Sequence, residues 1–383
     1  MRLFILAFVL SVQADAAAPV IKLDPTNTLI TRNLTMLPAR AVGRVQISLV
    51  GGAAPAGAKS FTHQWPGIYF EATFSGDELF LKFDDPVNEY RLFIGDQPPI
   101  TISRPGRAEV RVSNLPSGQH LLRLEKVTES AFGRGSFQGF YASRAQTAEI
   151  TPRRPQVEFI GDSAMTGFGS RSKTRECSDE QVHLTTDTQS AFPALIAKKF
   201  GADYQINAIS GAGVVRNYGG SNPDRTLPRA YPFTFFDRTV PYSDPAWSPR
   251  LIMIKLEADF AAPLKTDEQW ANENDLARDY ATQYGSFIAE LHRRHPGAAF
   301  LLWWFDRDLV RDVNTALLLD RMQQQIEATA RAAGARDLHF LPMRVRDLER
   351  TACASHYSLA DHSKLAAYFS DFIERAGLLL KRK

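Results

Sequence analysis

The sequence predicts two domains in series, an all-β jelly roll or sandwich over residues 20–150 and then an α/β domain with a parallel sheet over residues 156–383. Three observations carry that prediction. A chain of 383 residues exceeds what one hydrophobic core usually organises. Its first part holds short runs rich in β-branched and aromatic residues, punctuated by Gly, Pro, Asn and Asp and without a sustained helical period. Beyond residue 155 the pattern switches to short apolar runs alternating with amphipathic stretches of helical length. Hydrophobic residues at 44% and charged residues at 23% suffice for packed cores and exclude a disordered or fibrous chain. Lys and Arg total 45 against 42 for Asp and Glu, so a net charge of +3 leaves no basic surplus for a nucleic acid partner.

The first residues stand apart from both domains. Arg2 precedes the apolar run Leu3 to Val12, and Ala14-Asp15-Ala16 supplies the small residues a signal peptidase needs. Residues 1–16 are therefore expected to be a secretory signal peptide, since the run is about half the ~20 residues that span a bilayer. Export to the periplasm or the medium is then expected, with no membrane attachment after removal of the signal. An oxidising compartment also lets Cys177 and Cys353 persist as a disulfide, the alternative being two unrelated buried thiols.

In the β part, strands are expected at Gly67 to Phe74, Glu78 to Phe83, Glu89 to Ile94, Ala108 to Val112 and Gln119 to Lys126. Ile150-Thr-Pro-Arg-Arg-Pro155 breaks the pattern as a linker does, which puts the boundary near Pro152. Buried parallel strands are then expected at Val157 to Ile160, Gln205 to Ile209, Leu251 to Leu256, Ala299 to Trp304 and Leu338 to Leu341. Helices are expected at Ser190 to Phe200, Asn274 to Arg294, Asn314 to Ala333 and from Ser363 onward. In such an architecture a site forms at the carboxyl ends of the strands.

The first parallel strand runs into Gly161-Asp-Ser163, which places a serine at that edge with backbone N–H groups turning into the same space. Asp-Ser is also an ordinary helix N-cap pair. A base is needed, and the chain has eight histidines. His292 and His295, on the charged end of a helix, are expected to be solvated, and His63 and His120 fall in the β part. His356 and His362 come after the last strand, so their loop returns to the edge that carries Ser163; the alternative is a surface pair near a helix start. The loop Asn207-Ala-Ile-Ser-Gly-Ala-Gly213 comes after the second parallel strand, where glycine lets a backbone N–H approach a developing oxyanion.

At these residues the chain resembles the SGNH or GDSL hydrolase superfamily, with its three-layer flavodoxin-like fold. It is more closely similar to carbohydrate esterase family 2, whose members pair an N-terminal jelly roll with an SGNH domain. The resemblance rests on Trp65-Pro-Gly67, Phe74-Ser-Gly76, Gly161-Asp-Ser163, Ser210-Gly-Ala-Gly-Val-Val-Arg-Asn217, Pro249, and Cys353-x-x-His356 with His362. It implies removal of acetyl groups from polysaccharides or sugars, with Ser163 as nucleophile, His356 as base, and Ser163 and Gly211 as oxyanion donors. Where the family reads Gly-Thr-Asn-Asp, this chain reads Leu256-Glu-Ala-Asp259, so Ala258 is the nearest match to the asparagine donor. Losing one such donor costs ~100 to 1000-fold, or roughly 3 to 4 kcal/mol. Ala354 stands where some members carry the aspartate that orients the base, and Ser355 where an aromatic ring stacks on a sugar. A Ser-His dyad is left, which some members complete with a backbone carbonyl.

The expectation is an exported serine esterase on an acylated sugar or polysaccharide, acting as a monomer without a cofactor. The alternatives are a catalytically impaired carbohydrate-binding protein of the same fold, or an acyltransferase. Glu257, Asp259 and Asp361 are the nearby carboxylates; each is expected to be a solvated or salt-bridged loop residue, with Glu257 facing away from the oxyanion or serving a different role. Tyr242 and Trp247, in a Pro-rich loop, are expected substrate contacts. Trp65 is assigned to domain packing, and at least one of Trp303 and Trp304 to the core. No His/Cys/Asp/Glu cluster has metal-ligand spacing, so no metal is expected.

Overall fold

The computed structural model describes residues 19–24, 34–50, 57–129, 133–143 and 154–379; the expected signal peptide and the boundary near Pro152 lie outside them. The chain begins with the strands β1 (Val20–Asp24), β2 (Thr35–Met36), β3 (Arg40–Val42), β4 (Val45–Leu49), β5 (Lys59–His63) and β6 (Tyr69–Ser75). Next come β7 (Leu79–Asp85), β8 (Glu89–Ile94), β9 (Ile100–Ser103), β10 (Gly106–Ser113), β11 (Gln119–Lys126) and β12 (Gly135–Ala142). They form two antiparallel sheets, one in the order β1-β10-β7-β12-β5-β4 with β2 beside β12, the other β3-β6-β11-β8-β9. Alternation is the cause: in β8, Tyr90, Leu92 and Ile94 point into the core while Glu89, Arg91 and Phe93 point away. Between the sheets Phe61, Phe70, Phe83 and Phe137 interlock. The five expected strands coincide with β6, β7, β8, β10 and β11. The pattern missed β4, whose residues are mostly exposed and carry no alternation of burial.

The second part is a parallel sheet of β13 (Gln156–Gly161), β14 (Asp203–Ala208), β15 (Leu251–Lys255), β16 (Ala299–Trp304) and β17 (Leu338–Pro342), in the order β14-β13-β15-β16-β17. Its helices are α1 (Ser163–Thr166), α2 (Asp179–Thr185), α3 (Phe192–Lys199), α4 (Leu227–Ala230), α5 (Glu273–Arg294), α6 (Val313–Ala332) and α7 (Leu359–Arg375). On one face of the sheet Phe159, Met253 and Leu301 pack against Phe192 of α3 and Phe369 of α7. On the other, Ile160, Ile254 and Leu302 pack against Tyr280 and Ile288 of α5. Both faces being covered, β16 is buried along its whole length, and both Trp303 and Trp304 are core residues. α7 starts before the expected Ser363, because Ser358 and Asp361 form a capping box ahead of it.

The two parts share one interior. Apolar side chains from both antiparallel sheets are continuous with those of β13, β15 and α5. Trp65 is fully buried at the junction, its Nε1 donating to the Phe233 carbonyl at 3.2 Å. Arg44 is buried beside it, donating to Asn207 Oδ1 at 2.7 Å and to the Tyr231 and Phe233 carbonyls, with Glu158 at 3.8 Å. A second polar cluster joins Glu71 and Asp203 to Arg40, Arg123 and Arg154 across the junction. Among the described residues no helix is long and apolar enough to cross a membrane.

Candidate active site

β13 is the strand from which the chain steps to β14 on one side and β15 on the other, so loops from all three meet at its carboxyl end. Asp162 caps α1, accepting the Ala164 N–H at 3.0 Å, and Ser163 is the first helical residue. Gly161 is needed for close approach: a Cβ there would lie 2.7 Å from the Lys255 carbonyl and 2.8 Å from Met165 Sδ. Lys255, at the end of β15, donates to Asp162 at 2.8 Å and lies 3.5 Å from Glu257. Burial opposes the Lys255 ammonium, but Asp162 and Glu257 outweigh it and raise its pKa.

His356 reaches this point from the loop between β17 and α7. Its Nε2 lies 2.8 Å from Ser163 Oγ, and its Nδ1 lies 2.9 Å from the Cys353 carbonyl oxygen. A carbonyl only accepts, so Nδ1 carries the ring proton of the neutral imidazole, and Nε2 is left to accept from the serine hydroxyl. Burial lowers the His356 pKa below its ordinary value, against the pull of the Cys353 carbonyl and Asp162. The ring stacks on Phe168, 4.4 Å between centroids. Cys353 is bonded to Cys177 across a separation of 176 residues, joining the histidine loop to the segment just beyond the Gly161-Asp162-Ser163 turn. Gly169 makes room for that bond: any Cβ there would lie 2.4 Å from Cys353 Cβ, and its φ of 57° is left-handed. Ala354 and Ser355 also take left-handed backbone, with φ of 50° and 59°. Such conformations cost on the order of 1 kcal/mol or more each, and persist where the surroundings over-determine them. Here they are held by the disulfide and by the Ala354 N–H, which donates to the Arg175 carbonyl at 2.7 Å.

The third loop leads out of β14. Gly211 has a φ of 76°, and the N–H groups of Ser163 and Gly211 take no hydrogen-bond partner among the described residues. Asp259 ties this loop down from below, accepting the N–H groups of Val214, Val215 and Arg216, each at 2.8 Å. Burial pushes its carboxyl up to about 6 against those three donors. Ser163, His356 and Gly211 open into a cavity of about 660 Å³. Its lining includes the aromatic side chains of Phe168, Tyr218, Phe260 and Phe305, and Tyr218 is 57% exposed. Ala258 lines it without a polar side-chain atom.

A family model described as carbohydrate esterase 2 N-terminal matches residues 43–152. An acetylxylan esterase / glucomannan deacetylase of Cellvibrio japonicus is 42% identical over 269 residues, which are 70% of this chain and 73% of that protein. The chain belongs to carbohydrate esterase family 2. Among solved structures, a carbohydrate esterase whose active site is described as having divergent catalytic and non-catalytic binding functions superposes with a TM-score of 0.79. It is 35% identical and covers 90% of this chain and all of its own. A family two carbohydrate esterase from Clostridium thermocellum, in complex with cellohexaose, shares the fold with a TM-score of 0.69 at 22% identity, over 89% of this chain and 100% of that one.

Within this family 2 architecture several expectations need correcting. Tyr242 and Trp247 are not in the cavity. Tyr242 stacks on Arg44 and its hydroxyl accepts from Gln205 at 2.7 Å, while Trp247 is buried with its Nε1 donating to Glu158 at 3.1 Å. Both pack against side chains of β14 and β13 rather than opening into the cavity beside Ser163 and His356. Asp259 is neither solvated nor salt-bridged, being fully buried on backbone N–H groups. Asp361 accepts the N–H groups of Glu349, Arg350 and Ser358 rather than orienting His356. Glu257 lines the cavity and is salt-bridged to Lys255, the different role left open for it. His292 and His295 are half-buried, His295 with its Nε2 3.9 Å from Glu158. His362 is buried behind α3, its Nδ1 accepting from the Phe192 N–H, and burial pushes its pKa down to about 4. Sequence reasoning missed Phe168 and Tyr218. Both lie close to family motifs, and an aromatic next to Gly219-Gly220 was a usable signal.

Proposed function

We propose that the chain is an exported serine esterase that removes acetyl groups from carbohydrates, using Ser163 and His356 as a dyad. The observation that carries this reading is the pair of contacts at His356, 2.8 Å to Ser163 Oγ and 2.9 Å to the Cys353 carbonyl. Ser163 Oγ attacks the ester carbonyl as its proton passes to His356 Nε2, and the oxyanion is met by the N–H groups of Ser163 and Gly211. Collapse expels the sugar hydroxyl, protonated by His356, and leaves an acetyl-enzyme. Water, deprotonated by the same Nε2, hydrolyses it to acetate. Cys353 does the orienting work of a triad aspartate but brings no charge, so the imidazolium is less stabilised than beside a carboxylate. Tyr218 on the cavity rim offers a ring face to a pyranose. The name of the Cellvibrio japonicus relative supports acetylated xylan or glucomannan as the substrate class.

Hydrolysis of an activated acetyl ester and of acetylated xylan by the mature protein, compared with Ser163→Ala, tests the reading. Ser163→Ala should lose about 10⁴-fold or more in kcat/KM, and equal rates in the two proteins would dismiss it. A second reading, a carbohydrate-binding protein with impaired catalysis, is favoured by Ala258 at the cavity wall. Calorimetric binding of xylo- or cello-oligosaccharides without turnover would select it.

A further inference from the structure

The β part contributes a carboxylate to the site. Glu129 lies just beyond β11 and is almost completely buried. Its Oε1 accepts the Ser210 N–H at 2.7 Å, and its Oε2 accepts the Ser210 hydroxyl at 2.8 Å. The Thr166 hydroxyl, on the helix that Ser163 begins, lies 3.4 Å from the same Oε2 and 3.2 Å from Ser210 Oγ. One group thus touches both the nucleophile helix and the residue before Gly211. Its own backbone is rooted in the β part: the Val127 N–H donates to the Glu89 carbonyl at 2.8 Å, and Thr128 Oγ1 donates to Asn88 Oδ1 at 2.8 Å.

We propose that Glu129 is a positioning residue that aims the Gly211 N–H at the oxyanion, which makes the β part a component of the catalytic site. The inference rests on the esterase reading above. With its N–H and hydroxyl both on one carboxylate, Ser210 keeps little freedom of its own. The turn beyond Ser210 is fixed by the Tyr218 N–H donating to the Gly211 carbonyl at 2.8 Å and the Ala212 N–H donating to the Ile209 carbonyl at 3.0 Å. The direction of the Gly211 N–H is then set by Glu129 at one end and Tyr218 at the other. In a dry site two hydrogen bonds on one carboxyl group are costly to break, so the loop is held stiffly. Stiffness matters more here than in a site with a third donor, because Ala258 offers none and the two backbone N–H groups carry the whole oxyanion. A misplacement of about 1 Å in such a site costs on the order of 100-fold.

The test uses the full chain with Glu129→Ala, Glu129→Asp and Glu129→Gln, reading kcat, KM, inhibition by phenylboronic acid, and thermal unfolding. Boronate adds to Ser163 as a tetrahedral anion, so its affinity tracks the oxyanion site. Glu129→Ala should lower kcat about 10 to 100-fold and weaken boronate by a similar factor, with KM within about threefold. Gln keeps the reach, its amide oxygen taking the Ser210 N–H while its NH₂ donates to Ser210 Oγ, so it should recover most of the rate. Asp keeps the carboxyl group on a shorter arm and should remain slow, which decides the matter if the Ala variant does not fold. An Asp variant as fast as the unaltered protein overturns the inference, and so do equal losses in all three variants that track their unfolding temperatures. If the unaltered protein shows no turnover above Ser163→Ala, the esterase reading fails instead. Hydrogen exchange then decides: faster exchange confined to residues 209–213 in Glu129→Asp supports the inference, and unchanged exchange overturns it.

Discussion

Ser163 stands on regular secondary structure, where β13 runs into α1 under an Asp162 cap, whereas His356 stands on a loop with two left-handed non-glycine residues and a disulfide. The serine arm is therefore fixed by bonds that the sheet and helix supply anyway. The histidine arm rests on one kinked 3₁₀ turn, Cys353–Ser355, and relies on a covalent tie and a backbone carbonyl that also bear its strain. The comparison teaches that a histidine without a carboxylate partner can be held against a serine by restraining the residue whose carbonyl its other ring nitrogen meets. Cys353 is that residue, and it is also the cross-linked one.

The largest way to break this comparison is to cut the tie. A Cys177→Ala/Cys353→Ala variant should lose about 2 to 5 kcal/mol of stability, seen as a lower unfolding temperature. At a temperature where it stays folded, its kcat should fall about 10 to 100-fold as the carbonyl wanders. A variant of unchanged kcat would show that the loop holds itself.

A smaller effect is read from pH. His356 must be neutral to accept the serine proton, and burial lowers its pKa while no carboxylate touches it. Activity should therefore rise with pH through a midpoint below the ordinary histidine value of about 6.5 and stay level above it, as kcat/KM profiles would show. A midpoint above that value would mean a carboxylate reaches the ring.

The smallest effect tests the strain alone. Ala354→Gly removes the Cβ penalty at φ 50° and should raise stability by about 1 kcal/mol or less, net of the entropy glycine adds to the unfolded chain. Thermal unfolding measures it. A clear loss of stability would show that Ala354 is not strained.

Legibility in the sequence depended on the range of the interactions involved. The apolar run of β13, the Gly-Asp-Ser turn and the return of the His356 loop are local signals, so the fold and the meeting of His356 with Ser163 were legible. The orienter was not, because a backbone carbonyl has no letter of its own. Tyr242 and Trp247 looked like surface rings in a Pro-rich loop, and only the arrival of Arg44 from the β part and Glu158 from β13 makes them packing residues. Asp259 and Asp361 were misjudged for the same reason, since the N–H groups they accept come from other loops. Glu129 was the least legible, a single acid after a strand whose partner Ser210 lies 81 residues on.

Arg44 also bears on the order in which the molecule can be completed. Every hydrogen-bond acceptor of its guanidinium, Asn207 and the carbonyls of Tyr231 and Phe233, belongs to the later half of the chain. During N-to-C emergence from a ribosome or a translocation pore, the β part comes out first with that cation still hydrated. The face that will be buried is thus kept wet and charged while it waits, which discourages premature association. Stripping water from Arg44 is then coupled to the docking of the two halves, the same docking that sets Glu129 against Ser210.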